Sequence, residues 1–217
     1  METHMNVLTE ILNKYGASVS AINRGTGQKN TGGDAADAGY VDRYVELFEE
    51  IREKTINFLE IGVFQGRSLA MWSDYFSKGN IYGADISIVE FKLMKEELHS
   101  LGAFSNNNLR EVIEGDSTNL STFEKTIDSL PTFDIIIDDG KHTHAAQLQT
   151  FKNFYPRLNP QGFYIIEDMH DHWKYALQSD IWNLNDHYKN IRSVDILECA
   201  PHTRIIVVRN AATGASS

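Results

Sequence analysis

The chain has 217 residues, 41% of them hydrophobic and 23% charged, which suits one domain with a sizeable core. Asp and Glu number 30 against 20 Lys and Arg, a formal net charge of −10, and no basic cluster supplies the positive footprint that a nucleic-acid partner needs. The lone Cys199 excludes an internal disulfide and a multi-thiolate metal centre, and no apolar run approaches the roughly 20 residues of a membrane span, so a cytoplasmic protein without membrane attachment is expected.

Met5, Val7, Leu8, Ile11 and Leu12 recur at helical spacing and predict a first helix over residues 5–15. Residues 23–39 include Gly25, Gly27, Gly32 and Gly33 among polar side chains; they read as a loop, and a loop of this length suits a lid. Tyr40, Val41, Tyr44, Val45, Leu47, Phe48 and Ile51 predict an amphipathic helix over 40–54. Residues 1–56 thus make an N-terminal segment of helices and loop, 57–210 the core, and 211–217 a disordered tail.

From there short apolar runs alternate with helical periods. Strands are expected over 57–62, 81–86, 111–114, 133–138 and 163–167, with helices over 67–76, 88–101, 120–130, 144–158 and 172–188. Such alternation predicts right-handed βαβ units. Strands over 193–198 and 203–209, joined by a turn containing Pro201, predict an antiparallel pair at the sheet edge. The expected fold class is α/β and Rossmann-like: a seven-stranded, mostly parallel sheet with one antiparallel strand and helices on both faces, the arrangement of class I methyltransferases.

Ligands of doubly wound sheets gather at the carboxyl ends of the strands. The first strand runs into Glu60-Ile-Gly62-Val-Phe-Gln-Gly66-Arg-Ser68, which lacks the Gly-x-Gly-x-x-Gly pattern of NAD and FAD sites. Glu60 is placed to meet a methionine ammonium group, Asp85 at the end of the second strand to take ribose hydroxyls, and Asp116, in Glu114-Gly115-Asp116-Ser117, to accept from an adenine amino group. Any one such acid is as well explained as a helix cap. Three at successive strand ends imply S-adenosylmethionine, with Glu60, Gly62, Gly66, Ser68, Asp85, Asp116, Ser117 and Asp138 as candidate cofactor-binding residues.

The fourth strand ends in Asp138-Asp139-Gly140-Lys141-His142-Thr143-His144, and the fifth in Glu167-Asp168-Met169-His170-Asp171-His172. Crowded carboxylates repel unless a cation neutralises them. Several with open positions suit a hard ion, Mg²⁺ or Mn²⁺, better than zinc, and the set is not the facial triad of non-haem iron. Trp72 reads as core, whereas Trp173 and Tyr164 are candidates to flank a sugar face.

Residues 59–170 resemble the metal-dependent sugar O-methyltransferases of macrolide biosynthesis, the mycinamicin and macrocin group. The resemblance rests on Leu59-Glu-Ile-Gly-Val63, Ser68-Leu-Ala-Met-Trp72, Ile137-Asp-Asp-Gly-Lys-His142 and Gly162-Phe-Tyr-Ile-Ile-Glu-Asp-Met169, with a shorter match over 39–48. It implies that Asp139, Glu167 and Asp168 ligate the metal and that His142 is the general base, Asp139 and His142 forming the catalytic pair. Lys141 departs from the small residue usual there. The implied substrate is a small molecule or glycan with vicinal hydroxyls. Assembly into a homo-oligomer stays open. The alternatives are a metal-dependent catechol O-methyltransferase and a catalytically silent module that binds the same cofactor.

Overall fold

The computed structural model describes residues 7–15, 39–123, 126–200 and 203–212. The expected loop over 23–39, apart from Gly39, the Pro201 turn and the tail beyond Ala212 lie outside them. Seven strands form one sheet: β1 (Asn57–Ile61), β2 (Asn80–Asp85), β3 (Leu109–Glu114), β4 (Phe133–Asp138), β5 (Leu158–Ile166), β6 (Ile191–Ala200) and β7 (Thr203–Asn210). Their order is β3-β2-β1-β4-β5-β7-β6; β7 runs antiparallel to both neighbours and the first five strands run parallel. The expected fold class is the observed one.

The strands read as near-continuous apolar runs because both sheet faces are covered. In β4, Ile135 and Ile137 join one core cluster while Ile136 joins the other, as the two-residue period of a strand requires. The first cluster holds α1 (Val7–Lys14), α2 (Tyr40–Phe48), α3 (Arg67–Tyr75) and α4 (Val89–Ser100) against the sheet. The second holds α5 (His144–Phe154) and α6 (Lys174–Asn183). Trp72 centres the first, with ring centroids 5.1 Å from both Tyr44 and Phe58 and 5.8 Å from Phe76. Aromatic pairs of this kind contribute about 0.5–1.5 kcal/mol each beyond the area they bury.

Two expected helices are shorter than their apolar spacing suggested. Among the described residues of 120–130, the helical elements are a 3₁₀ turn at Leu120–Phe123 and one α-turn at Thr126–Ser129. The Ser121 hydroxyl donates to Asn119 Oδ1 and the Thr122 hydroxyl to the Asn119 carbonyl, local bonds that compete with a helix ladder. The helix expected over 172–188 starts at Lys174 and divides at Leu184. Tyr164 is wholly buried, edge-on to Phe151 at 4.9 Å, which corrects its assignment to a sugar face. Among the described residues no helix is long and apolar enough to cross a membrane.

Candidate active site and metal centre

The site forms where the sheet ladder outlasts the strands by one residue. Gly62 N–H donates to Ala84 C=O, Gly115 N–H to Asp85 C=O, Asp139 N–H to Ile61 C=O and Glu167 N–H to Asp138 C=O, each within 3.0 Å. Four post-strand turns are thereby set in register along the carboxyl edge. They enclose a cavity of about 480 Å³ whose lining includes Glu60, Gly62, Ser68, Asp85, Asp116 and Ser117 at one end and Asp139, His142, Glu167 and Asp168 at the other. Of the sequence-predicted site residues, Gly66 and Asp138 stand outside that lining. Gly66 caps α3 at φ 78°, and a Cβ there would sit 2.4 Å from the Phe91 ring, so this glycine lets α3 and α4 approach. Asp138 lies behind its own turn and accepts from Gly140 N–H at 3.2 Å.

The glycine turn is built around Asp85. Its Oδ2 accepts from the backbone N–H groups of Val63 at 2.7 Å and Phe64 at 2.8 Å, and its Oδ1 from Ser87 N–H at 3.0 Å. Gly62 adopts φ 94°, a conformation that favours glycine. A Cβ there would lie 2.1 Å from the Asp139 carbonyl oxygen, so the first and fourth turns touch through their main chains. Asp116 accepts from the Thr118 hydroxyl at 2.7 Å and the Thr118 N–H at 2.9 Å, and those bonds hold its pKa below the usual carboxylate range. The Ser117 and Thr150 hydroxyls are 2.9 Å apart.

Glu60 is 2% exposed, and burial pushes its pKa up to about 8; Asp139 and Asp85 add to the rise, while the Ser68 and Trp72 side chains oppose it. Its Oε2 has no hydrogen-bond partner among the described residues. A buried carboxylate oxygen of this kind, facing a cavity beside an open glycine turn, suits a cationic ligand group. The donor set therefore fits the ammonium, ribose and adenine groups of S-adenosylmethionine.

At the other end, His142 Nε2 lies 3.1 Å from Asp139 Oδ1 and His142 Nδ1 lies 3.1 Å from Asp168 Oδ2. The hydrogen bond to Asp139, reinforced by both acids, pushes the His142 pKa up to about 9 against the opposing effect of burial. Asp139, His142 and Asp168 each offer a ligand atom within 4.8 Å of the others, a spacing that suits one metal ion. Glu167 is outside that group. Burial holds its carboxyl well above the usual range, with Asp139, Asp168 and Glu60 adding to the rise. So many acids around one cavity favour protonation or a bound cation, and oxygen-rich ligation fits Mg²⁺ or Mn²⁺.

Three side chains were not singled out for the site from the sequence. Tyr44 donates its hydroxyl to Glu167 Oε1. Tyr40 donates to Asp168 Oδ1 at 2.8 Å and accepts from Asp168 N–H at 3.1 Å. Gln147 donates to the Glu167 carbonyl at 3.0 Å. Tyrosines four apart on an otherwise apolar helix stripe are a readable signal, since a buried phenol hydroxyl needs a partner. Trp173 does not line the cavity; its Nε1 donates to Gln147 Oε1 at 3.4 Å. His144 Nε2 pairs instead with Asp180 of α6 at 3.0 Å and does not line the cavity.

A family profile described as a methyltransferase domain matches residues 59–169. The chain is 30% identical over 146 residues to an 8-demethyl-8-alpha-L-rhamnosyl tetracenomycin-C 2'-O-methyltransferase of Streptomyces olivaceus, covering 64% of this chain and 35% of that protein. It is 31% identical over 137 residues to the mycinamicin VI 2''-O-methyltransferase of Micromonospora griseorubida, covering 60% of this chain and 31% of that protein. The chain thus spans about a third of the length of these curated relatives. Among solved structures, the MycE methyltransferase of the mycinamycin pathway, in complex with Mg and SAH, superposes with a TM-score of 0.67 at 21% identity, over 97% of this chain and 56% of that one. An rRNA methylase of Streptococcus thermophilus shares the fold at a TM-score of 0.57 and 12% identity, over 78% of this chain and 95% of that one, so the fold by itself does not select a substrate.

Proposed function

The chain belongs to the methyltransferase-domain family matched over residues 59–169, and from that premise we propose that it is an S-adenosylmethionine-dependent, divalent-metal-dependent O-methyltransferase acting on a sugar hydroxyl. One observation carries this reading: the acid-lined glycine turn and the Asp139–His142–Asp168 group open into the same cavity. The relatives' names support the substrate class, since both modify oxygens of sugar-bearing small molecules, and one MycE structure contains Mg, SAH and mycinamycin VI together.

S-adenosylmethionine would supply a sulfonium methyl group, and Mg²⁺ or Mn²⁺ would supply a Lewis acid that lowers the pKa of a coordinated hydroxyl. Glu60 would meet the donor's ammonium group, Asp85 its ribose and Asp116 with Ser117 its adenine. Asp139, Glu167 and Asp168 would hold the metal. His142 in its neutral form, favoured as pH rises toward about 9, would accept the hydroxyl proton as the methyl–oxygen bond forms and the methyl–sulfur bond breaks to leave S-adenosylhomocysteine, a contribution of roughly 10²–10⁴ in rate. Holding acceptor and donor in line adds to this by sparing the entropy of a collision.

A catechol would chelate equally well, but the acid end of the cavity is polar and part-exposed, with Asp139, Lys141, His142 and Asp168 around it. That surface favours a hydroxyl-rich acceptor over a planar ring. The test is transfer from labelled donor to a panel of deoxysugar glycosides and catechols, with and without chelator. Transfer to glycosides that stops in chelator, returns with Mg²⁺ or Mn²⁺ and is lost in Asp139→Asn is expected. Transfer that persists in saturating chelator would remove the metal from the reading, and preference for catechols would remove the sugar.

A further inference from the structure

Tyr40 and Tyr44 stand four residues apart on α2, both buried, and their hydroxyls reach two adjacent carboxylates beyond β5. Side chains at this spacing point the same way along one helix face. Packing does not call for the hydroxyls: the Tyr44 ring stacks on Phe48 at 5.7 Å and meets Trp72 edge-on at 5.1 Å, contacts that phenylalanine would also make. A buried phenol finds some acceptor wherever it lies, and a backbone carbonyl would serve. Here both acceptors are carboxylates that line the cavity, and each phenol occupies one oxygen of a pair.

We infer that Tyr40 and Tyr44 are positioning residues that set cation specificity: by tying down Asp168 Oδ1 and Glu167 Oε1, they leave each carboxylate one oxygen for the metal and so select Mg²⁺ or Mn²⁺ over Ca²⁺. The inference rests on the metal reading above. Ca²⁺ takes six to eight oxygens, often with carboxylates bidentate, whereas Mg²⁺ demands a smaller, near-octahedral shell of single-point donors. A carboxylate that turns both oxygens to an ion must share one of them with its phenol, which draws electron density from that oxygen and holds its orientation, so single-point ligation through the other oxygen is favoured. Asp168 is further held because Tyr40 also accepts its N–H, which fixes a residue at φ 52°, in the left-handed region. The remaining Asp168 oxygen, Oδ2, is the one that faces His142.

The experiment is calorimetric titration of wild type, Tyr40→Phe, Tyr44→Phe and the double variant with Mg²⁺, Mn²⁺ and Ca²⁺, beside thermal unfolding in chelator and titration with S-adenosylhomocysteine. Wild type is expected to prefer Mg²⁺ and Mn²⁺ to Ca²⁺. The double variant should narrow that preference by about tenfold, the scale on which groups behind metal ligands act, while S-adenosylhomocysteine affinity changes little and unfolding in chelator stays a single cooperative transition, lowered by the loss of two buried hydrogen bonds. An unchanged preference in the double variant, or equal weakening for all three ions, overturns the inference and leaves the metal reading standing. A wild type that takes up none of the three ions overturns the metal reading, and this inference with it.

Discussion

The imidazole of His142 meets the carboxylate of Asp168 at 3.1 Å, across the space between the turns that follow β4 and β5. Its other nitrogen is at the same distance from Asp139, so two acids from neighbouring strand ends fix the plane of one ring. An imidazole so held faces the cavity in a single orientation, with its protonation governed by the charges beside it.

His142→Ala is expected to lower turnover by roughly 10²–10⁴, the usual range for a lost general base, and to leave S-adenosylhomocysteine affinity within about threefold of wild type. The donor contacts fall on the turns after β1, β2 and β3 and His142 on the turn after β4, so removing the imidazole takes away no residue assigned to the donor. Steady-state kinetics beside calorimetry checks this, and near-normal turnover in the variant would take the base role away from His142.

Glu60 gives a pH dependence with a definite sign. With its pKa pushed up to about 8, the carboxyl holds a proton at neutral pH and offers no charge to an ammonium group. Affinity for S-adenosylhomocysteine should therefore rise with pH, by up to roughly tenfold per unit below about 8, and level off above it. Glu60→Gln should flatten the profile and bind more weakly at its alkaline end. In stability the same shift acts in reverse: the folded pKa exceeds the unfolded value of about 4.5, so the protein without donor loses stability as pH climbs through about 8. A wild-type binding profile that is flat from about pH 6 to 9 would exclude contact between Glu60 and the ammonium.

Gly62→Ala places a methyl group 2.1 Å from the Asp139 carbonyl oxygen on a backbone at φ 94°. The left-handed conformation alone costs about 1–3 kcal/mol, and the clash adds to it. Urea unfolding should register at least that loss, and donor and metal titrations should weaken together. A variant as stable as wild type with both affinities intact would mean that the two turns separate without penalty.

The sheet and the acids at its edge were legible because their signals are local. Strands covered on both faces leave runs such as Phe133–Asp138, and the residue after such a run must sit at the ligand edge, as Asp139 and Glu167 do. Tyr40 and Tyr44 could be read as buried phenols in need of partners, but the sequence does not say which acceptors they find. Their hydroxyls acquire meaning only when α2 is packed beside the turn after β5, more than a hundred residues later in the chain. Asp138 and Asp139 were equivalent in sequence as adjacent acids, yet the strand's alternation buries the first and exposes part of the second. The shortened helix over 120–130 failed for a related reason. Its apolar spacing was correct, but Asn119, Ser121 and Thr122 satisfy one another locally before a ladder can form.

The contact between Gly62 and the Asp139 carbonyl also bears on how far this site can vary. Most binding sites set the distance between two bound groups through side chains, which lengthen, shorten and swing as residues change. Here the separation of the turns after β1 and β4 is set by main chain on main chain, through the parallel pairing of the two strands and the absence of a β-carbon between them. Substitutions around the rim can therefore reshape the mouth of the cavity, while the spacing of the two turns that form its floor stays the same.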